Sequence, residues 1–197
     1  MIPAGHSAGR IVAFGPHRKG RETQRHGGEG GPSDRHSIRL ATRRNGWIAN
    51  VVRQEARPES LRASVTLFRE HHPEARLRSA TARYNCMALP FGSRRTWIAP
   101  DALDPVLSLI LRDGEYRQIE AVAARPGDLV VYRATMVDRS VSHIAVVDEV
   151  GADVATADLR LFVLSKWGQY GEYRHRAEDV PVWLGVPTEY WTDRREA

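Results

Sequence analysis

Apolar positions in the first half of the chain follow helical spacing. Leu61, Val65 and Phe68 fall on one helical face, and the proline two residues after His71 predicts that this helix ends near His71. Residues 104–114 predict a second helix, because an aspartate and a proline open an apolar run that a glycine closes.

The second half of the chain has the pattern of β-strands. Apolar runs occupy residues 128–132, 143–147 and 159–165, and a Pro-Gly turn signal precedes the first. Residues 151–157 are the predicted hairpin loop between the last two strands. Residues 180–191 mix prolines with aromatic residues and predict an irregular strap over the core. Helices followed by antiparallel strands indicate an α+β domain.

The N-terminal segment differs in composition from the rest. Residues 1–37 contain 8 of the 16 glycines, six basic and three acidic residues, and few large apolar side chains. Such a segment buries too little apolar surface to offset the entropy lost on ordering. We therefore expect a disordered basic tail over 1–37, a linker or extension over 38–56 and an α+β domain over 57–197.

The chain is basic and its basic residues are almost all arginine. Of its 197 residues 29 are Lys or Arg and 24 are Asp or Glu, and only Lys19 and Lys166 are lysines. Arginines can bind nucleic acid through phosphates. These arginines are scattered and lack interleaved aromatic residues, so codon bias in a GC-rich genome is the preferred explanation. Nucleic-acid binding is the third hypothesis for this chain.

Membrane features are missing from the sequence. No apolar run approaches the roughly 18 residues that a membrane helix needs. The N-terminus also lacks the apolar stretch of a secretory signal. The sequence therefore predicts a cytoplasmic location and no membrane partner.

Cys86 is the only cysteine, which excludes an internal disulfide framework and a cysteine-rich metal site. Asn85 is a good helix N-cap and would place Cys86 in the first turn of a helix. The helix dipole and unpaired N–H groups favour a thiolate there. The competing interpretation is a small buried apolar residue.

His143 is the candidate partner of this cysteine. It stands at the head of an apolar strand, after a polar segment, where its imidazole can project into a cleft. An imidazole beside a thiol can accept its proton and activate the sulfur as a nucleophile. A histidine with a purely structural role is the alternative.

Three segments resemble a known family in their order and separation. Residues 85–89 read NCMAL, similar to the DCSGL segment of the NlpC/P60 cysteine peptidases, a branch of the papain-like fold. Residues 125–132 read RPGDLVVY and resemble the family's RPGDLVFF strand. Residues 142–147 read SHIAVV and resemble its HVGIY strand. The segment 165–175 is similar to segments of uncharacterised bacterial papain-like proteins.

The resemblance implies a papain-like α+β fold with a nucleophile helix packed on an antiparallel sheet. It implies Cys86 as nucleophile, His143 as general base, a peptide or amide substrate, and no metal or cofactor. Pro90 departs from the pattern, because four residues after the cysteine its ring disrupts a helix. The helix is therefore expected to be kinked there or to begin later.

The family also has a polar third residue on the strand after the base. A hairpin symmetric about Val154 would pair His143 with Ser165, which could then orient the imidazole. A slip of one residue would place Lys166 there instead. His175, reaching in from a loop, is the other candidate.

Four further residues are predicted to line the substrate cleft: Tyr84, Asn85, Trp97 and Trp167. The first hypothesis is a thiol hydrolase that cleaves an amide or peptide bond. The second is a binding or effector module that keeps the fold without catalysis, with Trp97 and Trp167 lining its cleft.

Overall fold

A seven-stranded antiparallel sheet dominates the fold. The computed structural model describes the chain over residues 12–14, 37–92, 94–99, 102–135, 138–152 and 156–195. The sheet runs in the order β4-β10-β9-β8-β7-β11-β6, and two small sheets pair β1 with β2 and β3 with β5. All of these pairings are antiparallel.

The strands have the following bounds: β1 Val12–Phe14, β2 Arg39–Ala41, β3 Asn50–Val51, β4 Arg76–Ser79, β5 Trp97–Ile98, β6 Arg117–Ile119, β7 Leu129–Arg133, β8 Val141–Ala152, β9 Leu159–Lys166, β10 Glu172–Arg176 and β11 Val186–Thr192. The α-helices are α1 Pro58–His71, α2 Ala88–Phe91 and α3 Leu103–Asp113. Single 3₁₀ turns occupy Ala121–Ala123 and Val182–Leu184.

The two helices predicted from apolar spacing are present. Helix α1 ends at His71, as the following proline requires. Helix α3 ends where Gly114 takes the C-cap position. Its beginning differs, because Ala102 rather than Asp104 occupies the N-cap. The Asp104 carboxylate instead accepts the backbone N–H of Val141, which ties α3 to the start of β8.

The predicted papain-like arrangement of a nucleophile helix on a sheet is wrong. The described residues form one large antiparallel sheet with three short helices, and α2 after Cys86 has four residues. Pro90 provides a physical reason, because it has no N–H to donate and its ring clashes with the preceding turn. A helix that contains it so early cannot grow into a long packing element.

The predicted C-terminal strap is also wrong. Residues Val186–Thr192 form β11, which inserts between β7 and β6. The register shifts between Pro187 and Glu189, at the proline that cannot donate a ladder hydrogen bond. Because of this proline the segment lacks the sequence pattern of a strand. The sheet accommodates the proline at an irregularity in the ladder.

Both faces of the sheet are buried. On one face, side chains of α2 and α3 pack against Val131 and Ile144. On the other face, Tyr132 and Ala145 belong to a second apolar cluster with residues of β9. The alternation along β7 and β8 therefore sends neighbouring residues into different clusters.

Most of the predicted N-terminal tail lies outside the described residues. Within it, Val12–Phe14 pairs with β2. Residues 38–56, predicted as a linker or extension, contain β2 and β3. None of the helices in the described part of the chain is both long and apolar enough to cross a membrane.

Candidate functional site

A cleft of about 460 Å³ opens at the start of β8. Cys86 and His143 both line it, so the cleft brings together the two residues that the sequence singles out. Its other walls include Asn85, Trp97, Asp104 and Trp183. We call this space the β8 cleft.

Asn85 fixes the turn that carries Cys86. Its Oδ1 accepts the backbone N–H groups of Ala88, at 3.2 Å, and Ile98, at 3.1 Å. Its Nδ2 donates to the carbonyl of Ile98 at 2.7 Å. Asn85 thus caps the turn and ties it to β5. Its buried amide is engaged through both Oδ1 and Nδ2, so Asn85 positions the turn, and its predicted contact with substrate stays a prediction.

The Cys86 thiol is buried and its pKa is raised. Loss of hydration is the main cause, since burial disfavours the charged sulfur. The backbone N–H groups of Ile144 and Met87, and the charge of Lys166, act in the opposite direction but do not outweigh burial. The resting thiol is therefore protonated at neutral pH. Cys86 lies in the turn before α2, whose N-cap is Met87, so the predicted thiolate in the first turn of a helix capped by Asn85 is wrong.

His143 is fully buried and carries an imidazole without hydrogen bonds. It lies opposite Tyr132 in the β7–β8 ladder, and the two ring centroids are 5.2 Å apart. Neither ring nitrogen has a hydrogen-bond partner among the described residues. Burial, and then the charges of His175 and Lys166, lower the pKa of His143 to about 3. The ring is neutral at physiological pH, the form that can accept a proton.

Cys86 and His143 do not hydrogen-bond to each other. Cys86 packs in the cluster that contains Ile144, whereas His143 contacts Tyr132 on the other face of the sheet. The two side chains therefore approach the β8 cleft from different sides of the strand. A thiolate–imidazolium ion pair is absent from this conformation of the described residues.

The two candidates for the third residue contact each other rather than His143. Ser165 pairs with Ala145 in the β8–β9 ladder, so the predicted pairing with His143 is wrong by two residues. The Ser165 hydroxyl is 2.6 Å from Nε2 of His175 and accepts the indole N–H of Trp167 at 2.9 Å.

This arrangement fixes the tautomer of His175. Its Nδ1 lies 2.7 Å from the carbonyl oxygen of Arg176 and must carry the proton to donate. Nε2 is then the acceptor for the Ser165 hydroxyl. Burial lowers the pKa of His175 to about 4. His175 is a buried member of β10, so the prediction that it reaches in from a loop is wrong.

The aromatic residues predicted to line the cleft divide into two groups. Trp97 does line it, and its indole N–H donates to the carbonyl of Ala82 at 2.8 Å. Trp167 is fully buried and stacks on Tyr173, with ring centroids 4.2 Å apart. Trp183 is half exposed and forms part of the rim of the β8 cleft.

Tyr84 lies beside the cleft, in a buried polar network. Its hydroxyl donates to the Glu172 carboxylate, which also accepts the Nε–H of Arg94 at 2.9 Å. Burial and the Glu172 carboxylate raise the pKa of Tyr84 above its usual range. The sequence reasoning assigned Tyr84 to the cleft wall and found no role for Glu172.

Lys166 is the residue that the sequence reasoning undervalued. It is fully buried at the end of β9, and its Nζ lies 5.2 Å from the centroid of the Tyr84 ring. Burial lowers its pKa to about 8, while the nearby Cys86 and Glu172 act in the opposite direction. Its position at the end of an apolar run, between a serine and a tryptophan that are both buried, was the available signal.

In the part of the chain that the structure describes, no group of three His, Cys, Asp or Glu side chains is placed to hold a metal ion. A scan against protein-family models and searches of the curated proteins and of the solved structures gave no match to this chain.

Proposed function

We propose that the protein is a thiol hydrolase that cleaves an amide, peptide or ester bond in the β8 cleft. One observation carries this proposal: the single cysteine of the chain and a buried imidazole without hydrogen bonds line the same cleft. A neutral imidazole that can reach a thiol is the pair that nucleophilic cysteine chemistry requires.

The reaction proceeds in two steps. Cys86 Sγ attacks the substrate carbonyl carbon while its proton passes to His143. The carbon–nitrogen or carbon–oxygen bond then breaks, the leaving group takes the proton from His143, and a thioester to Cys86 remains. Water attacks this thioester while His143 accepts a proton from the water. The carbon–sulfur bond then breaks, His143 returns the proton to the Cys86 sulfur, and the acid product leaves.

The resting geometry requires an adjustment before this chemistry. The imidazole of His143 must turn towards the sulfur, because the two groups are not hydrogen-bonded at rest. Such a turn has an energetic advantage, since a buried polar group without a partner costs about 1–3 kcal/mol. Apo catalytic sites commonly tighten only when substrate is bound.

Acyl transfer to Cys86 is the direct test. The protein is mixed with p-nitrophenyl acetate, and intact and peptide mass spectrometry locate any acetyl group. We expect acetylation at Cys86 followed by turnover, no adduct in Cys86→Ala, and slow acylation and deacylation in His143→Gln. His72→Gln is the matched control, because His72 bonds to Asp179 outside the cleft.

The opposite outcome is equally defined. If native protein gains no acetyl group at Cys86, or if His143→Gln turns over the ester as fast as the parent, the hydrolase proposal is wrong. Circular dichroism of each variant identifies loss of folding as a separate cause.

A binding module without catalysis is the second candidate. The raised pKa of the thiol and the missing Cys86–His143 hydrogen bond favour it. In that case a peptide would change the fluorescence of Trp183 at the cleft rim without being cleaved. Retained binding in Cys86→Ala, together with no acyl adduct in the parent, would support this candidate.

Nucleic-acid binding remains the third proposal and has less support. Several arginines are engaged by carboxylates: Arg133 pairs with Asp104 and Glu189, and Arg194 pairs with Asp128. Binding that weakens steeply with salt would favour it. A cytoplasmic location likewise remains a prediction from the sequence.

A further inference from the structure

We infer that Lys166 is a positioning residue for the thiol chemistry, whose ammonium group stabilises the negative charge that develops on the Cys86 sulfur. This inference rests on the proposed hydrolase function and adds a residue to it. No proton moves to or from Lys166 in the reaction: the thiol proton passes to His143, and the ammonium stays charged throughout.

The placement of the Lys166 ammonium supports this role. Nζ donates to the carbonyl oxygen of Gly168, a residue that lines the β8 cleft. Nζ also lies over the ring of Tyr84, two residues before Cys86. The ammonium is therefore held between the segment that carries the nucleophile and the loop that forms the cleft wall.

The charge of Lys166 is not neutralised by a carboxylate at short range. Glu172 stands opposite it in the β9–β10 ladder, but the Glu172 carboxylate is occupied by Tyr84 and Arg94. Among the described residues, the ion pairs of this region include Arg94 with Glu172 and do not include Lys166. A buried cation without an anionic partner is costly, and a thiolate nearby would offset that cost.

Burial disfavours the charged form of Lys166, and the nearby side chains modify that effect. Cys86, Glu172 and Glu55 favour its charged form, whereas Arg53 opposes it. The effect is mutual, since the charge of Lys166 also lowers the pKa of Cys86. The same charge disfavours the imidazolium form of His143. Lys166 thus supports negative charge on sulfur and keeps the resting imidazole neutral.

The test is the pH profile of Cys86 alkylation by iodoacetamide in the folded protein. Lys166→Met keeps the length of the side chain and removes its charge, whereas Lys166→Arg keeps the charge. We expect Lys166→Met to label about tenfold more slowly near neutral pH, with a profile displaced by about one pH unit. Lys166→Arg should label within about threefold of the parent. Urea-denatured samples should label at one common rate.

A reciprocal measurement does not depend on the folding of Lys166→Met. The chain has only two lysines, Lys19 and Lys166, so ¹³C-lysine labelling gives two Cε signals to follow by NMR. Because coupling between two sites is mutual, Cys86→Asp, which places a carboxylate where the parent has a neutral thiol, should raise the apparent pKa of Lys166 above its value in the uncharged Cys86→Ser. An unchanged Lys166 titration would overturn the inference.

The two proposals fail separately. If the parent forms an acyl adduct at Cys86 but Lys166→Met has the parental alkylation profile, the role of Lys166 is refuted and the hydrolase stands. If the parent forms no adduct, the hydrolase is refuted, and the role inferred for Lys166 falls with it even where the pKa coupling is measured.

Discussion

Acidification should destabilise this protein through two buried histidines. His143 and His175 are both at most 1% exposed, and burial lowers their pKa values to about 3 and about 4. In the unfolded chain both rings have a pKa of about 6.5. The unfolded state therefore binds protons first as the pH falls, and stability is lost from about pH 6.5 downwards.

The size of this effect follows from the two pKa values. At about pH 5 an unfolded imidazole is almost fully protonated, whereas His143 and His175 remain neutral in the fold. Each ring then lowers the free energy of unfolding by about 2 kcal/mol relative to neutral pH, and the two together by about 4 kcal/mol. Against a total stability of about 5–15 kcal/mol this is a large loss.

This loss of unfolding free energy is measured by urea denaturation at about pH 7 and about pH 5, with tryptophan fluorescence as the signal. The parent should lose about 4 kcal/mol between the two conditions, and His143→Gln and His175→Gln should each lose only about half of that. The readout is this difference between conditions, because His175→Gln also breaks the Ser165 contact and lowers stability at both. His71→Gln, at an exposed site, should behave as the parent.

A parental loss below about 1 kcal/mol would refute the buried neutral state of these rings. The result for His143→Gln is the more informative one. If His143 rested as an imidazolium beside a Cys86 thiolate, its folded-state pKa would be raised, and removal of the ring would not protect against acid. If His143→Gln loses as much stability at low pH as the parent does, the resting state of Cys86 and His143 in the parent is therefore an ion pair and not a neutral pair.

Three further predictions concern the scaffold and the cleft. Gly185 has φ of 86°, and a Cβ there would lie 2.1 Å from the carbonyl oxygen of Arg133, so Gly185→Ala should cost at least about 3 kcal/mol by urea denaturation. Gly151→Ala, which meets open space, should change stability by less than about 0.5 kcal/mol. Asn85→Ala removes the side-chain partners of the buried N–H and carbonyl groups of Ile98 and should cost about 2–4 kcal/mol, which thermal unfolding would detect. Trp183→Ala should weaken peptide binding in a titration while leaving the unfolding midpoint within a few degrees of the parent, since the ring is half exposed.

The elements with local punctuation were predictable from the sequence. Helix α1 and helix α3 both end at residues that the proline and glycine signals identify. Strands β7 and β9 match their apolar runs to within one residue, whereas β8 contains its run but extends from Val141 to Ala152, into the predicted hairpin loop. These signals depend only on residues that are neighbours along the chain, so they can be interpreted without knowledge of the tertiary structure.

The rest of the sheet depends on contacts that the sequence does not display. Strand β4 alternates arginine with other residues at the sheet edge, and β10 places Arg174 and Arg176 on one side of a strand whose other residues are buried. Strand β11 contains a proline. Each of these departs from the apolar alternation that identifies a strand, and its pairing is set by the neighbouring strand instead.

The register of the β8–β9 hairpin shows the same limit at the site. A loop symmetric about Val154 would pair His143 with Ser165, but the ladder next to the loop begins with Ala152 opposite Leu159, three residues away from that symmetric pairing. The register shift between Val147 and Glu149 reduces the offset to two residues, so Ser165 pairs with Ala145 and still shares a face with His143. The sequence therefore indicates the face correctly and the contact incorrectly, because the position of the loop sets the register of the whole ladder.

Two buried groups without full partners, His143 and Lys166, lie in the surroundings of the only cysteine. Five buried side-chain nitrogen or oxygen atoms of the described residues lack hydrogen bonds, and two of them belong to the ring of His143. Ser165, Trp167 and His175, which are equally buried nearby, satisfy each other. The fold satisfies this polar cluster but leaves the His143 imidazole without hydrogen bonds and the Lys166 ammonium without a carboxylate. Both features lower the stability of the folded state. Such local inconsistency is expected where a site serves chemistry rather than packing. This is the physical reason to test Cys86 as a nucleophile before treating it as an apolar core residue.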